Sequence, residues 1–207
     1  MLEAVEEAIA ARIIEEPAGK TIGRYQFTHA LIQETLSQEL SSTRRARLHA
    51  RIAQALETLY GANAKGHAAE LAKHFAEAEL VLGHTELVRY ALLAGEQALA
   101  SYAYEDATTL FERGLAAWEI SLSGAEMASD GEAADLLFGL ARAWSATAVG
   151  HQLEEAFANL SRAFDYHVEA GNAAQAVAVA DFPIVTPKHA AIQAPGAIPP
   201  GRTGREE

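Results

Sequence analysis

An all-α fold, built as a stack of antiparallel helix pairs, is what this 207-residue sequence predicts, and three observations point there. Half the residues are apolar while aromatics supply only 7%, with alanine carrying much of the remainder. Such a core is made where helices approach closely, not between bulky sandwich layers. Between Val88 and Glu119, Gly95, Ala98, Ala107, Phe111 and Gly114 fall where a helix pair needs small residues at its crossings and one aromatic plug. Finally, short connections such as Gly83 and Tyr102-Ala103 separate amphipathic segments, the pattern of antiparallel neighbours.

Taken in order, Leu2, Val5, Ile9 and Ile13 recur at helical spacing until Pro17-Ala18-Gly19 breaks the pattern, and the helix is expected to yield to extended chain near Arg12. β-Branched and aromatic content then rises at 13–16 and again at 21–28, where Tyr25 and Phe27 alternate with polar neighbours. This predicts a small β-hairpin over 13–28 turning at 17–20. His29 to Leu40 returns to helical period, and Ser41-Ser42-Thr43 offers an N-cap for a helix over about 43–60. Its stripe of Leu48, Ile52, Ala55, Leu56 and Leu59 is expected to face the core, with Gly61 and Asn63 as the stop.

Helices are predicted at about 66–81, 85–101 and 104–120, then a longer, Ser/Gly-rich flexible connection over 121–131. A further pair at about 132–148 and 152–170 turns at Gly150, and Gly171-Asn172 precedes a short last helix to about 181. Ala156, Leu160 and Ala163 repeat the internal spacing of Ala107, Phe111 and Gly114 at an offset of 49 residues, which exceeds the usual two-helix period of about 34. From Phe182 onward the chain holds five of its six prolines without apolar periodicity and is predicted to be a disordered tail. Ala176, Val177 and Val179 would then leave an uncapped apolar face, as if the array stopped short of its natural length. The division is therefore 1–42, 43–181 and 182–207.

Charge and composition narrow the function. A formal charge of -12 disfavours general binding to nucleic acid, and the absence of cysteine removes disulfides, thiolate nucleophiles and thiolate metal sites. The acidic amino terminus is not a secretory signal and no apolar run is long enough to span a bilayer, so a cytoplasmic protein is expected.

The run Tyr25-Gln-Phe-Thr-His-Ala-Leu-Ile-Gln-Glu-Thr-Leu, followed by Thr43-Arg-Arg-Ala-Arg-Leu-His-Ala-Arg-Ile-Ala, resembles a segment of large bacterial signalling ATPases, as do His67-Ala-Ala-Glu-Leu-Ala-Lys-His-Phe and the stretch from Tyr90 to Glu119. Those ATPases include MalT-like and LuxR-type transcriptional regulators and ATPase-linked class III nucleotide cyclases. The resemblance covers roughly 2–180 and implies the end of a winged-helix domain, residues 1–42, passing into tetratricopeptide-like repeats. Their ATPase, DNA-binding and cyclase domains have no counterpart in these residues, so those activities are not carried over. The resemblance instead implies a protein-binding module of signal transduction and transcription regulation, cytoplasmic and without catalytic activity or cofactor of its own. Its partner would be a protein or the nucleotide-binding domain of the same system, with a small-molecule ligand as an alternative on the inner surface and no membrane or nucleic-acid role.

Candidate chemistry is sparse. Ala18-Gly19-Lys20-Thr21 looks like the end of a phosphate-binding loop, but Ile14 stands where the first glycine is required and Glu15 and Glu16 would repel phosphate. A hairpin turn is expected there. His67, Glu70 and His74 share one helical face at i, i+3 and i+7, yet they lack the zincin spacing and a fourth ligand, so surface or packing histidines are expected rather than a metal site. Arg44, Arg47 and Arg51 line one edge of their helix, with Arg45 and His49 on the other, and are the candidate docking residues for another protein domain. The polar, groove-facing residues of the 85–101 and 132–148 helices are the candidate ligand face. Trp118 and Trp144, with Tyr102, Tyr104 and Phe111, read as core plugs, and Ser121, Ser123 and Ser129 have no positioned base. The alternative function is DNA binding by the residual winged helix, with Lys20 and Arg24 near the tip of its wing; a His-based metal site is the weaker alternative.

Overall fold

The computed structural model describes residues 2–17, 25–147 and 151–183. The fold is mostly helical, with one small antiparallel sheet near the amino terminus. Helix α1 (Leu2–Ala10) ends before Arg12, which takes a left-handed φ of 56° and turns the chain into strand β1 (Ile14–Glu15). Strand β2 (Gln26–Phe27) pairs with it, Ile14 opposite Phe27 and Glu15 opposite Gln26, and the Thr28 hydroxyl donates to the Arg12 carbonyl at 2.6 Å to close the base. The expected turn at 17–20 lies outside the described residues beyond Pro17, as do Lys20 and Arg24. Helix α2 (Ala30–Glu39) follows.

The remaining helices stack in chain order: α3 (Ser42–Tyr60), a 3₁₀ segment (Gly61–His67), α4 (Ala68–Glu77), the single turn α5 (Glu79–Leu82), α6 (Thr85–Ala100), α7 (Tyr104–Ala117), α8 (Gly131–Thr147), α9 (His151–Glu169) and α10 (Ala173–Ala180). Ser41 caps α3 by accepting from the Arg44 amide at 3.3 Å, and Gly61, Gly83 and Gly171 end α3, α5 and the turn after α9 with positive φ. The helix expected over 66–81 is divided, because the chain runs as 3₁₀ through His67 and breaks at buried Ala78. Asp130, just before α8, accepts the Ala133 amide on its carboxylate at 2.9 Å.

Two apolar clusters hold the stack together. Phe75, Leu71, Ala53 and Leu87 form one between α3, α4 and α6; Phe111, Leu115, Leu136, Leu140 and Trp144 form the other between α7, α8 and their neighbours. Helix α6 serves both, sending Leu87, Tyr90 and Ala94 to the first and Val88 to the second. The Phe111 ring is the expected plug, and it fills the space of two absent side chains. A Cβ on Gly95 of α6 would lie 2.5 Å from the ring and one on Gly139 of α8 would lie 2.4 Å from it. Gly139 was not among the positions the sequence pattern singled out. Ala156, Leu160 and Ala163 are buried like Ala107, Phe111 and Gly114, matching their shared spacing.

Several expected faces turn out differently. On α3 the buried side is Ala46, Ala50 and Ala53, while Leu48 and Ile52 are each 40% exposed and Leu59 76%. Methyl side chains let α4 approach closely, so Leu48, Ile52 and Leu59 are turned outward, while Leu56 of the expected stripe packs partly buried against the cluster. Ala176 and Val179 pack inward from α10, leaving Val177 exposed instead of an uncapped face. Trp144 and Phe111 are core residues and Trp118 is half-buried, but Tyr102 is 78% exposed in the α6–α7 turn.

The connection expected to be flexible is tied down. Arg162 on α9, almost fully buried, donates from Nε to the Glu126 carbonyl at 2.6 Å and from Nη1 to the Ser121 carbonyl at 2.8 Å and to Asn159 Oδ1 at 3.0 Å. Buried Asn159 in turn donates to the Leu122 carbonyl at 3.0 Å. Burial lowers the Arg162 pKa, and Glu126 partly offsets this.

Candidate functional site

Helix α8 carries Asp135, Phe138 and Arg142 at i, i+3 and i+7, hence on one face. Helix α6 presents Leu92, Leu93 and Glu96 opposite them, and α9 and α10 close the end with His167, Gln175 and Val179. Together these residues line a hollow of about 390 Å³. Its walls are mainly apolar and its polar groups come from four different helices. A second hollow of about 550 Å³ shares Leu92 and Leu93 and continues the groove toward Glu57, Lys65, Arg89 and Glu132.

The charges in the first hollow are unevenly satisfied. Arg142 forms an ion pair with Glu96 and lays its guanidinium over the Phe138 ring at 4.5 Å, so that its charge has both an acid and an aromatic face. Its buried Nε has no partner among the described residues. Asp135 accepts no hydrogen bond there; its nearest cationic candidate is His167, whose Nε2 lies 3.8 Å away. Burial raises the Asp135 pKa, against the attraction of His167 and with the repulsion of Glu96. His167 is only 3% exposed and its Nδ1 is buried without a partner.

At the other end, Tyr90 donates to Glu57 Oε1 at 2.6 Å and accepts from Arg89 at 2.8 Å, while Arg89 also pairs with Glu57 and Glu86, each at 2.5 Å. This network joins α3 to α6. Burial and the Glu57 hydrogen bond push the Tyr90 hydroxyl up to about 12, so it is a fixed donor at neutral pH.

The sequence-derived candidates do not converge on the groove. Arg44, Arg47 and Arg51 are exposed along α3, without ion pairs among the described residues, and border the outward Leu48, Ile52 and Leu59. Arg45 turns to the other side and meets Glu77 at 3.6 Å. His67, Glu70 and His74 are divided between two arrangements. His67 stacks on Tyr60 with ring centres 3.7 Å apart, and Tyr60 donates to Glu70 at 2.7 Å. His74 instead faces His49 across α3 and α4, Nδ1 to Nδ1 at 3.2 Å, with burial first and His49 second lowering its pKa. No group of three or more His, Cys, Asp or Glu among the described residues is placed to hold a metal ion. Glu15 accepts from Gln26 at 2.7 Å across the hairpin.

Glu96, Asp135 and Arg142 stand on the two helices that sequence reasoning favoured, and all three line the first hollow. His167 and Gln175 were missed. For His167 a signal existed, because it continues the buried stripe of Ala156, Leu160 and Ala163 at helical spacing. A histidine in such a stripe is a polar group the core must accommodate.

No helix among the described residues is long and apolar enough to cross a membrane. Comparison of the chain with protein-family models, curated proteins and solved structures finds no match.

Proposed function

We propose that this chain is a regulatory, protein-binding module of tetratricopeptide-like helix pairs, acting within or beside a signal-transduction ATPase or ATP-dependent transcriptional regulator, with the α6–α8–α10 groove as its ligand face. The observation that carries this reading is the convergence of Glu96, Asp135, Arg142 and His167 from three helices onto one mainly apolar hollow. Stacked helix pairs hold such surfaces open, and recognition is what they do with them. The exposed, unpaired Arg44, Arg47 and Arg51 beside Leu48 and Ile52 supply a second, basic and apolar surface suited to an acidic domain face. A winged-helix origin for 1–42 accords with the helix, hairpin and helix found there. The protein works by binding in a cytoplasmic setting, and no reaction is assigned to it.

The test is association with the nucleotide-binding protein of the same system, read by co-purification and by the rate of ATP hydrolysis. Charge reversal of Arg44, Arg47 and Arg51 to Glu is expected to weaken association at least tenfold, while Arg142→Ala leaves association intact and alters the hydrolysis response. If the triple reversal associates as tightly as the parent chain, the docking assignment fails. If neither surface changes the ATPase rate, the regulatory reading fails.

A further inference from the structure

We propose that the hollow between α6, α8 and α10 takes a small molecule with a positively charged amino head on an apolar body, held by Asp135 as its counter-ion. The inference rests on the groove being a ligand face and adds the chemistry of the ligand.

Charge balance comes first. Besides the His167 imidazole, the hollow holds two carboxylates, Glu96 and Asp135, against one guanidinium, and Arg142 is already engaged by Glu96 and by the Phe138 ring. Asp135 is left with no hydrogen-bond donor among the described residues. The Asp135 side chain is about half exposed (55%), so its carboxylate is open to an incoming cation, and a ligand ammonium would give it the hydrogen-bond donor it lacks. A ligand carboxylate would meet Glu96 and Asp135 instead and would have to displace an ion pair to reach Arg142.

The second observation is His167. It is a polar side chain almost wholly buried at the edge of the hollow, and its Nδ1 has no partner. Its Nε2 stands 3.8 Å from the Asp135 carboxylate, too far for a direct hydrogen bond and close enough for one ammonium to serve both. A neutral imidazole offers one bare nitrogen, and an ammonium has three donors to distribute. Gln175 adds an amide carbonyl on the same rim.

The third is the wall. Leu92, Leu93, Phe138 and Val179 give the body of the ligand an apolar seat, and about 390 Å³ falls in the size range of small-molecule sites. An aryl or branched alkyl amine satisfies both ends at once. A polyanion, a sugar or a purely apolar ligand leaves one end unmet.

The experiment titrates the purified chain with 2-phenylethylamine, 2-phenylethanol and phenylacetate at one ionic strength, following amide resonances and binding heat. The amine is expected to bind and to shift resonances of α6, α8 and α10, the alcohol to bind more weakly, and the carboxylate not to bind. Asp135→Asn should weaken the amine by roughly five- to tenfold, as expected for a partly exposed charge pair. Glu105→Gln, in the first turn of α7 and outside both hollows, should leave it unchanged. Asp135 is half exposed and accepts no hydrogen bond among the described residues, so Asp135→Asn is expected to keep the parent's thermal midpoint, which separates lost binding from lost folding. Phenylacetate binding as well as the amine, or an unaltered affinity in Asp135→Asn, overturns the proposal. A Lys-Leu-Lys tripeptide that binds where the amine does not overturns it in favour of a peptide site. An amine that fails to bind, with Arg142→Ala still altering the partner's hydrolysis, refutes the ligand class alone; an amine that binds with no effect on the partner refutes the regulatory reading alone.

Discussion

Residues 2–40 and 42–180 both contain amphipathic helices, yet they differ in what those helices bury. Not one described residue of the first region is buried, and Tyr25, Phe27, Leu31 and Leu36 all stand in solvent. In the second, Phe75 and Phe111 are each enclosed by close-packed neighbours from two or more helices. Amphipathic period alone makes a helix possible; a facing surface of matching shape makes it stable. The first region has the period without the partner, and its two-residue strands cannot substitute for a core.

The largest expected effect breaks the comparison most directly. Phe111→Ala should cost about 3–5 kcal/mol in urea unfolding followed by circular dichroism, because a fully enclosed ring is replaced by a cavity between glycines. Phe27→Ala should cost less than about 1 kcal/mol in the same assay. Equal losses would mean that the first region is packed as tightly as the second. Next in size, Arg162→Ala should cost about 2–3 kcal/mol by leaving the Ser121 and Glu126 carbonyls and Asn159 without their donor. Limited proteolysis should then cut within 118–130, where the parent chain resists; an unchanged digestion pattern would show that Arg162 does not hold this connection.

The smallest effect concerns the contact of α3 with α4. His74 has a lowered pKa in the folded chain, chiefly from burial and then from His49, so the unfolded state binds its proton more readily. Stability contributed by this histidine is therefore complete above the ordinary histidine range of about 6.5 and declines as pH falls through it toward the depressed folded value. His74→Gln should flatten the slope of thermal midpoint against pH below that range. A slope identical in the variant would place the acid sensitivity elsewhere.

Much of this architecture was legible in the sequence because glycine and alanine leave few options. Gly95, Ala107, Phe111 and Gly114 announce a close helix crossing, and Ser41, Gly61, Gly83 and Gly171 mark ends that the backbone obeys. The outward face of α3 was not legible. Apolar period identified Leu48, Ile52 and Leu59 as a stripe but could not show that α4 approaches over Ala46, Ala50 and Ala53 instead. The pinned connection was hidden for a different reason. Ser and Gly between 121 and 131 look loose in isolation, and the residues that fix them, Asn159 and Arg162, lie more than thirty positions later. The groove was half legible: its helices could be named, whereas pairing Asp135 with His167 depends on how three helices meet.

One consequence follows from the ring that fills the place of two missing methyl groups. Phe111 touches the helices bearing Gly95 and Gly139, and those same helices carry Glu96, the residue after Gly95, and Asp135, one turn before Gly139. The thickness of a single phenyl group thus acts as a shim that gauges the width of the adjoining opening. A thinner or bulkier side chain there would tilt α6 against α8 and respace the two acids without touching either of them.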